Sequence, residues 1–267
     1  VKHRAIAILF ISLIFGPIIF GPNCKATGES KEMISFRIQG GGMITYTDDQ
    51  LYVDKSRIRF KTVSPSFSEV PNYIGSFEAD ISKSEFESLK KTLLTYFAQI
   101  EAVREIKPDT IVETLVIDGK QKIWNAGQDN QNIKKIRSLL LSKAEAALKK
   151  PIQAIGMLCA KEKNEVECKI KNVGKKTALI VDPLGVNHSI YCIDIRGHRK
   201  PLHKTSEYDP KKMTPDEVSL EPGESLSFSV EASDCYYRIV LTTSAMMANE
   251  AYDEAVLGEI ISNQIVK

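Results

Sequence analysis

Ile34, Phe36 and Ile38 alternate with Ser35 and Arg37, the period-two pattern of a strand with one buried face. Gly40, Gly41 and Gly42 interrupt it, and an extended run resumes at MITYT. LYVD and RIRFKTV follow; in the latter Ile58 and Phe60 share one side, and Arg57, Arg59 and Lys61 the other. The stretch holding Pro65, Pro71 and Gly75 reads as a loop. Then the period changes. Phe86, Leu89, Leu93, Phe97 and Ile100 recur at helical spacing, with Lys90, Lys91 and Thr95 on the opposite side. Ser82 and Glu85 have capping-box spacing at the start of this helix, so that the hydroxyl takes an orphan N–H and the carboxylate reaches back. TIVETLVI and KQKIWN flank Asp118-Gly119, which predicts a tight hairpin because both central residues need positive φ. A second helix is expected over 133–148, with Ile133, Ile136, Leu140 and Ala144 on one side and Asn130 or Asn132 as its cap. Strands, helix, hairpin, helix pack most economically as an antiparallel sheet with both helices on one face.

Lys149-Lys150-Pro151 ends the second helix and marks a predicted boundary. Beyond it the period is two again. Strands are expected over 152–159 and 166–170, then at TALIVDP, SIYCIDI, VSLEPGESLSFSV, CYYRIVLTT and EIISNQIV. Many short strands with spaced turns predict a β-sandwich. The expected architecture is thus an α+β domain over 33–148 followed by an all-β sandwich over 152–267.

The opening residues change the picture of where this fold works. Val1-Lys2-His3-Arg4 precede an apolar stretch over 5–21, with Pro17 and Pro22 late in it. A basic start, an apolar run and a break are the pattern of a secretory signal peptide, expected over 1–26. Cleavage after Ala26 is one reading; the other is a lipoprotein signal ending before Cys24, whose thiol would be acylated. Gly21-Pro22-Asn23 matches the small-residue lipoprotein pattern poorly. Export places the protein in the periplasm, the cell envelope or the extracellular space. Of the five cysteines, Cys24 goes with the leader. Cys159, Cys168, Cys192 and Cys235 remain, an even set that points to disulfides in an exported chain. Three connectivities are open; Cys159 and Cys168 flank a polar turn that would let them face each other across a hairpin. Four buried free thiols are the alternative.

At 267 residues, 43% hydrophobic and 26% charged, the composition is that of an ordinary globular protein. Lys and Arg number 36 against 34 Asp and Glu, a net charge of +2. Nothing here supplies the concentrated basic field that nucleic-acid binding needs. Contact with a membrane is expected only through the leader or a lipid at Cys24.

Two resemblances follow from these motifs. KIKNVG, VSLEPGESLSFSV and the closing GEIISNQIV make the region 152–266 resemble the immunoglobulin-like sandwich of bacterial intracellular proteinase inhibitors. ISFRIQGGG, SKSEFESLKKTLLTYF and TLVIDGK make the region 33–147 look like emfourin, a small α+β inhibitor of thermolysin-type metallopeptidases. Both imply recognition of another protein, a peptidase above all, by analogy of fold. Neither carries over an inhibitory residue.

Candidate chemistry is sparse. No GxSxG or HExxH occurs, so no catalytic residue is assigned and no enzyme, metal or cofactor is expected. Gly40, Gly41 and Gly42 lack the Lys-Ser/Thr of a phosphate loop; a strand bend is the plainer reading, and close approach of a partner backbone the functional one. His188 stands nearby in sequence to IRGHRKPLHK, where Arg196, His198, Arg199, Lys200 and His203 form a basic segment suited either to solvent or to an acidic partner. Trp124 is an interface anchor if exposed, and otherwise packs under the second helix. The expected function is an exported protein-binding module, a peptidase inhibitor if the resemblances carry through. Its contacts would be made by loops 39–43 or 196–212 or by an exposed sheet edge. A structural envelope protein or lipoprotein is the alternative.

Overall fold

In the computed structural model of the chain, the residues described are 32–40, 47–63, 73–101, 110–162, 165–181, 183, 189–194, 198–202, 217–231, 238–242, 259–263 and 265. The leader, Cys24, Gly41, Gly42, Arg196, His188, His203, Cys235 and most of MITYT lie outside them. Residues 31–267 form one compact unit. Among the described residues no helix is long and apolar enough to cross a membrane.

The first half holds β1 (Ile34–Gly40), β2 (Thr47–Val53), β3 (Arg57–Thr62), β4 (Tyr73–Asp80), α1 (Lys83–Ala98), β5 (Val112–Ile117), β6 (Lys120–Asn125) and α2 (Gln131–Leu148). The second holds β7 (Pro151–Glu162), β8 (Glu165–Asn172), β9 (Ala178–Val181), β10 (Ser189–Ile193), β11 (Arg199–Pro201), β12 (Glu217–Leu220), β13 (Ser225–Glu231), β14 (Arg238–Thr242) and β15 (Glu259–Ile261). An N-terminal α+β region is thus followed by a β-rich one, and the fold is mostly antiparallel sheet with two helices.

Local chemistry explains the helices. Ser82 Oγ accepts the Glu85 N–H at 3.2 Å, and Asn130 Oδ1 accepts those of Asn132 and Ile133 at 2.8 and 3.3 Å. Both helices lay their apolar stripes, Phe86–Leu89–Leu93–Phe97 and Ile133–Ile136–Leu140–Ala144, on one face of the sheet beside Ile34, Phe36 and Leu115. The Asp118-Gly119 turn has both φ angles positive, 49° and 79°, as a two-residue hairpin requires.

Residues 73–80 are strand β4, not loop. Phe77 and Ala79 alternate with Ser76 and Glu78, but Gly75 occupies the next inward position and leaves a gap in the apolar pattern. β4 pairs with β3 on one side and with β7 on the other. One nine-stranded sheet therefore runs β13-β8-β7-β4-β3-β2-β1-β5-β6. Gly75 enables the join: its φ is +129°, and a Cβ there would lie 2.1 Å from the Gln153 carbonyl oxygen.

The same two strands exchange the buried face. Phe77 and Ala79 belong to the helix-side core, whereas Ile74 belongs to a second core. In β7, Ala154 faces the helices' side and Ile155, Met157 and Cys159 the other. Odd and even strand positions point to opposite faces, so the sheet is covered on one face at one end and on the other face at the other end. The second core unites β7, β8 and β13 with Ile180 of β9, Ile190 of β10, Leu220 of β12, Ile239 of β14 and Ile260 of β15. Those strands form a four-stranded sheet, β11-β10-β14-β15, and a two-stranded one, β12-β9. The Pro222-Gly223 turn accordingly does not close a hairpin: β12 pairs with β9 and β13 with β8.

Candidate functional site: the edge of the nine-stranded sheet

Of the anticipated site residues, Gly40 ends β1, where a Cβ would meet the Thr110 carbonyl oxygen at 2.5 Å. That space is filled by the protein's own backbone, so Gly40 serves packing between β1 and the start of β5. His198 is exposed and tied to Asp194, its ring Nδ1 3.0 Å from Oδ2 and its backbone N–H donating to Oδ1 at 2.9 Å. Arg199 and Lys200 lie in β11, paired with β10, rather than in a loop. Gly40 and the β11 residues sit in different sheets. Among the described residues no group of three or more His, Cys, Asp or Glu side chains is placed to hold a metal ion.

Trp124 is fully buried. It stacks on Phe36 with ring centroids 6.3 Å apart, and its Nε1 donates to Glu113 Oε2 at 2.5 Å. Arg137 of α2 donates to both oxygens of the same carboxylate, at 2.8 and 3.0 Å, and to the Ala126 carbonyl at 2.7 Å. Glu113, 2% exposed, thus latches α2 to the sheet. The signal for it was in the sequence: Glu113 shares strand parity with Leu115 and Ile117, so its carboxylate was bound to face the core.

Exposed polar side chains line β13, which is the last strand of the sheet beyond β8 among the described residues. Its burial alternates: Ser225, Ser227, Ser229 and Glu231 are exposed, while Phe228 and Val230 are buried. The hydrogen-bond phase is fixed at its start. Asn172 N–H donates to the Glu224 carbonyl and Gly223 N–H to the Asn172 carbonyl, both at 3.0 Å. Antiparallel residues alternate between bonded and non-bonded rungs. Leu226, Phe228 and Val230 therefore turn their main-chain groups toward β8, and Ser225, Ser227 and Ser229 turn theirs outward.

The neighbouring strands confirm this phase. Cys159 and Cys168 face each other across β7 and β8 and form a disulfide with Cα atoms 4.1 Å apart, the closeness of a non-bonded rung. Cys159 then points its own N–H and C=O away from β8, and both are taken by the Asn263 side-chain amide at 2.7 and 3.1 Å. The hairpin pairing anticipated for these two cysteines is the one found. Cys192 is also disulfide-bonded, to a cysteine outside the described residues.

No family model and no curated protein matches this chain.

Asn172 sets the edge in place. It is fully buried; its Nδ2 donates to the Leu220 and Lys176 carbonyls at 2.8 and 2.9 Å, and its Oδ1 accepts the Gly174 N–H at 2.8 Å. One side chain thus pins the chain where it crosses from β12 to β13. The opposite edge of the sheet, β6, differs. It carries Lys120 and Lys122, and Lys122 Nζ donates to the Phe97 and Ile100 carbonyls at the end of α1. Lysines on an edge strand deter pairing with another chain. β13 has no such guard before Glu231.

Proposed function

We propose that this is an exported, non-catalytic protein-binding module that engages another polypeptide by strand addition at β13. The observation that carries the reading is the outward row of main-chain groups at Ser225, Ser227 and Ser229, which no strand pairs among the described residues and which Asn172 fixes in phase. Strand addition uses such an edge: main-chain hydrogen bonds give affinity, and alternate side chains give selectivity. The disulfide between β7 and β8 supports export, because such bonds persist in oxidising compartments. We further infer that the strands facing β7, β8 and β13 across the second core form the other layer of an immunoglobulin-like sandwich, which would hold β13 rigid.

Inhibition of a secreted peptidase is the form of binding suggested by the resemblances to inhibitor folds. The exported protein should slow a secreted metallo- or serine peptidase at stoichiometric amounts, and Ser227→Pro, which deletes an outward N–H, should abolish the effect. Absence of inhibition across a broad peptidase panel would count against it. Labelled fatty acid at Cys24 without any bound protein would favour a structural envelope lipoprotein instead.

A further inference from the structure

We infer that the strand added to β13 is β13 of a second copy, so that the protein forms a twofold dimer with one sheet continuous across both chains. This rests on the reading of β13 as the contact edge. Antiparallel pairing about a twofold axis at Phe228 sets Ser225 against Glu231 of the second copy and Ser227 against Ser229. The four outward residues of each chain then exchange main-chain bonds, and no charge faces a like charge on the added rungs.

The neighbouring strand decides the orientation. On the exposed face, β8 presents Glu165, Glu167, Lys169 and Lys171 beside Glu231, Ser229, Ser227 and Ser225 respectively. The strip is acidic at one end and basic at the other. The twofold lays the row of Lys171 and Ser225 against Glu231 and Glu165 of the second copy. Likewise the row of Lys169 and Ser227 meets Ser229 and Glu167, and the serines leave room for the long charged side chains to reach over them. A parallel arrangement would have to turn the second copy over, which puts its charged strip on the other face of the sheet and leaves no lysine of one copy beside a glutamate of the other. A twofold contact must be self-complementary, and this strip is. The β6 edge is not, since Lys120 and Lys122 would crowd the junction with positive charge.

Sedimentation velocity of the full chain, recovered in its exported form from a bacterial host, tests this over about 1–200 µM, a range suited to a contact this small. The wild type should pass from monomer to dimer and no further. K169E/K171E makes the strip all acidic and E165K/E167K/E231K makes it all basic. Each alone should lose about tenfold or more in self-association, because like charges then meet across the axis. An equimolar mixture of the two should regain the dimer, which a misfolded variant could not do. A wild type that stays monomeric throughout, or a dimer indifferent to both charge reversals, would overturn the second copy as occupant. If S227P still abolishes inhibition of a peptidase in that case, the edge stands and only its occupant changes; if S227P alters neither, the edge itself is retired.

Discussion

The two ends of the nine-stranded sheet are secured by different chemistry. From β1 to β6 the sheet is held by a large apolar core under two helices and by the buried Glu113–Arg137–Trp124 latch. From β7 to β13 it is held by a cross-strand disulfide, by buried Asn172 and by a second core on the opposite face that takes in residues of the short strands. The outer edges differ in the same sense. β6 is guarded by lysines and by the end of α1, whereas among the described residues no strand pairs with the outer side of β13. A single ladder can therefore carry a closed end under two helices and an end that no described strand extends, provided that something fixes the strands between them. Here that is the β4–β7 pairing at Gly75.

Four changes test this contrast, in falling order of expected effect. Trp124→Ala removes a fully buried ring and strips Glu113 of a donor, at a cost of about 3–5 kcal/mol; denaturant unfolding followed by helical circular dichroism should show it at the α-helical end. Gly75→Ala forces a Cβ onto the Gln153 carbonyl at positive φ, and should cost about 2–4 kcal/mol. Exchange rates at both ends should rise together in that variant, because the join is shared. Replacing Cys159 and Cys168 by Ser opens a short loop and should cost about 2–3 kcal/mol, raising amide exchange in β7, β8 and β13 while sparing α1 and α2. The smallest effect is electrostatic. The Lys143 ammonium, hydrogen-bonded to Glu85, holds this carboxyl below its ordinary value of 4.5. A depressed carboxyl contributes stability above its unfolded value and loses it as pH falls through the folded one. Acid unfolding below about pH 4.5 should therefore be slightly shallower in Glu85→Gln, the carboxylate being exposed and screened.

Much of the closed end was legible in advance. Its helices, caps and Asp-Gly turn obey local rules, and Ile58 and Phe60 are buried opposite Arg57 and Lys61 as their alternation requires. β4 was hidden because Gly75 interrupts its apolar positions and two prolines precede it. Which face of β7 is buried was equally hidden, since period two fixes alternation but not the layer that lies over it. The candidate edge was half legible: Ser-Leu-Ser-Phe-Ser-Val reads as a strand with one wet face, but only pairing shows that it is terminal. Pro222-Gly223 breaks the run VSLEPGESLSFSV, and the turn passes between sheets, where Asn172 reaches across to hold it. The basic segment around His198 drew attention by charge, yet Arg199–Pro201 is spent on pairing with β10.

Residue-resolved hydrogen exchange of the full chain tests the β13 edge most directly. At low micromolar concentration the Ser225, Ser227 and Ser229 amides should exchange fast beside protected Leu226, Phe228 and Val230, and should slow as the protein is concentrated or its partner strand is added. Equal protection of all six amides in the dilute monomer would mean that the chain already covers this edge, and would contradict the account.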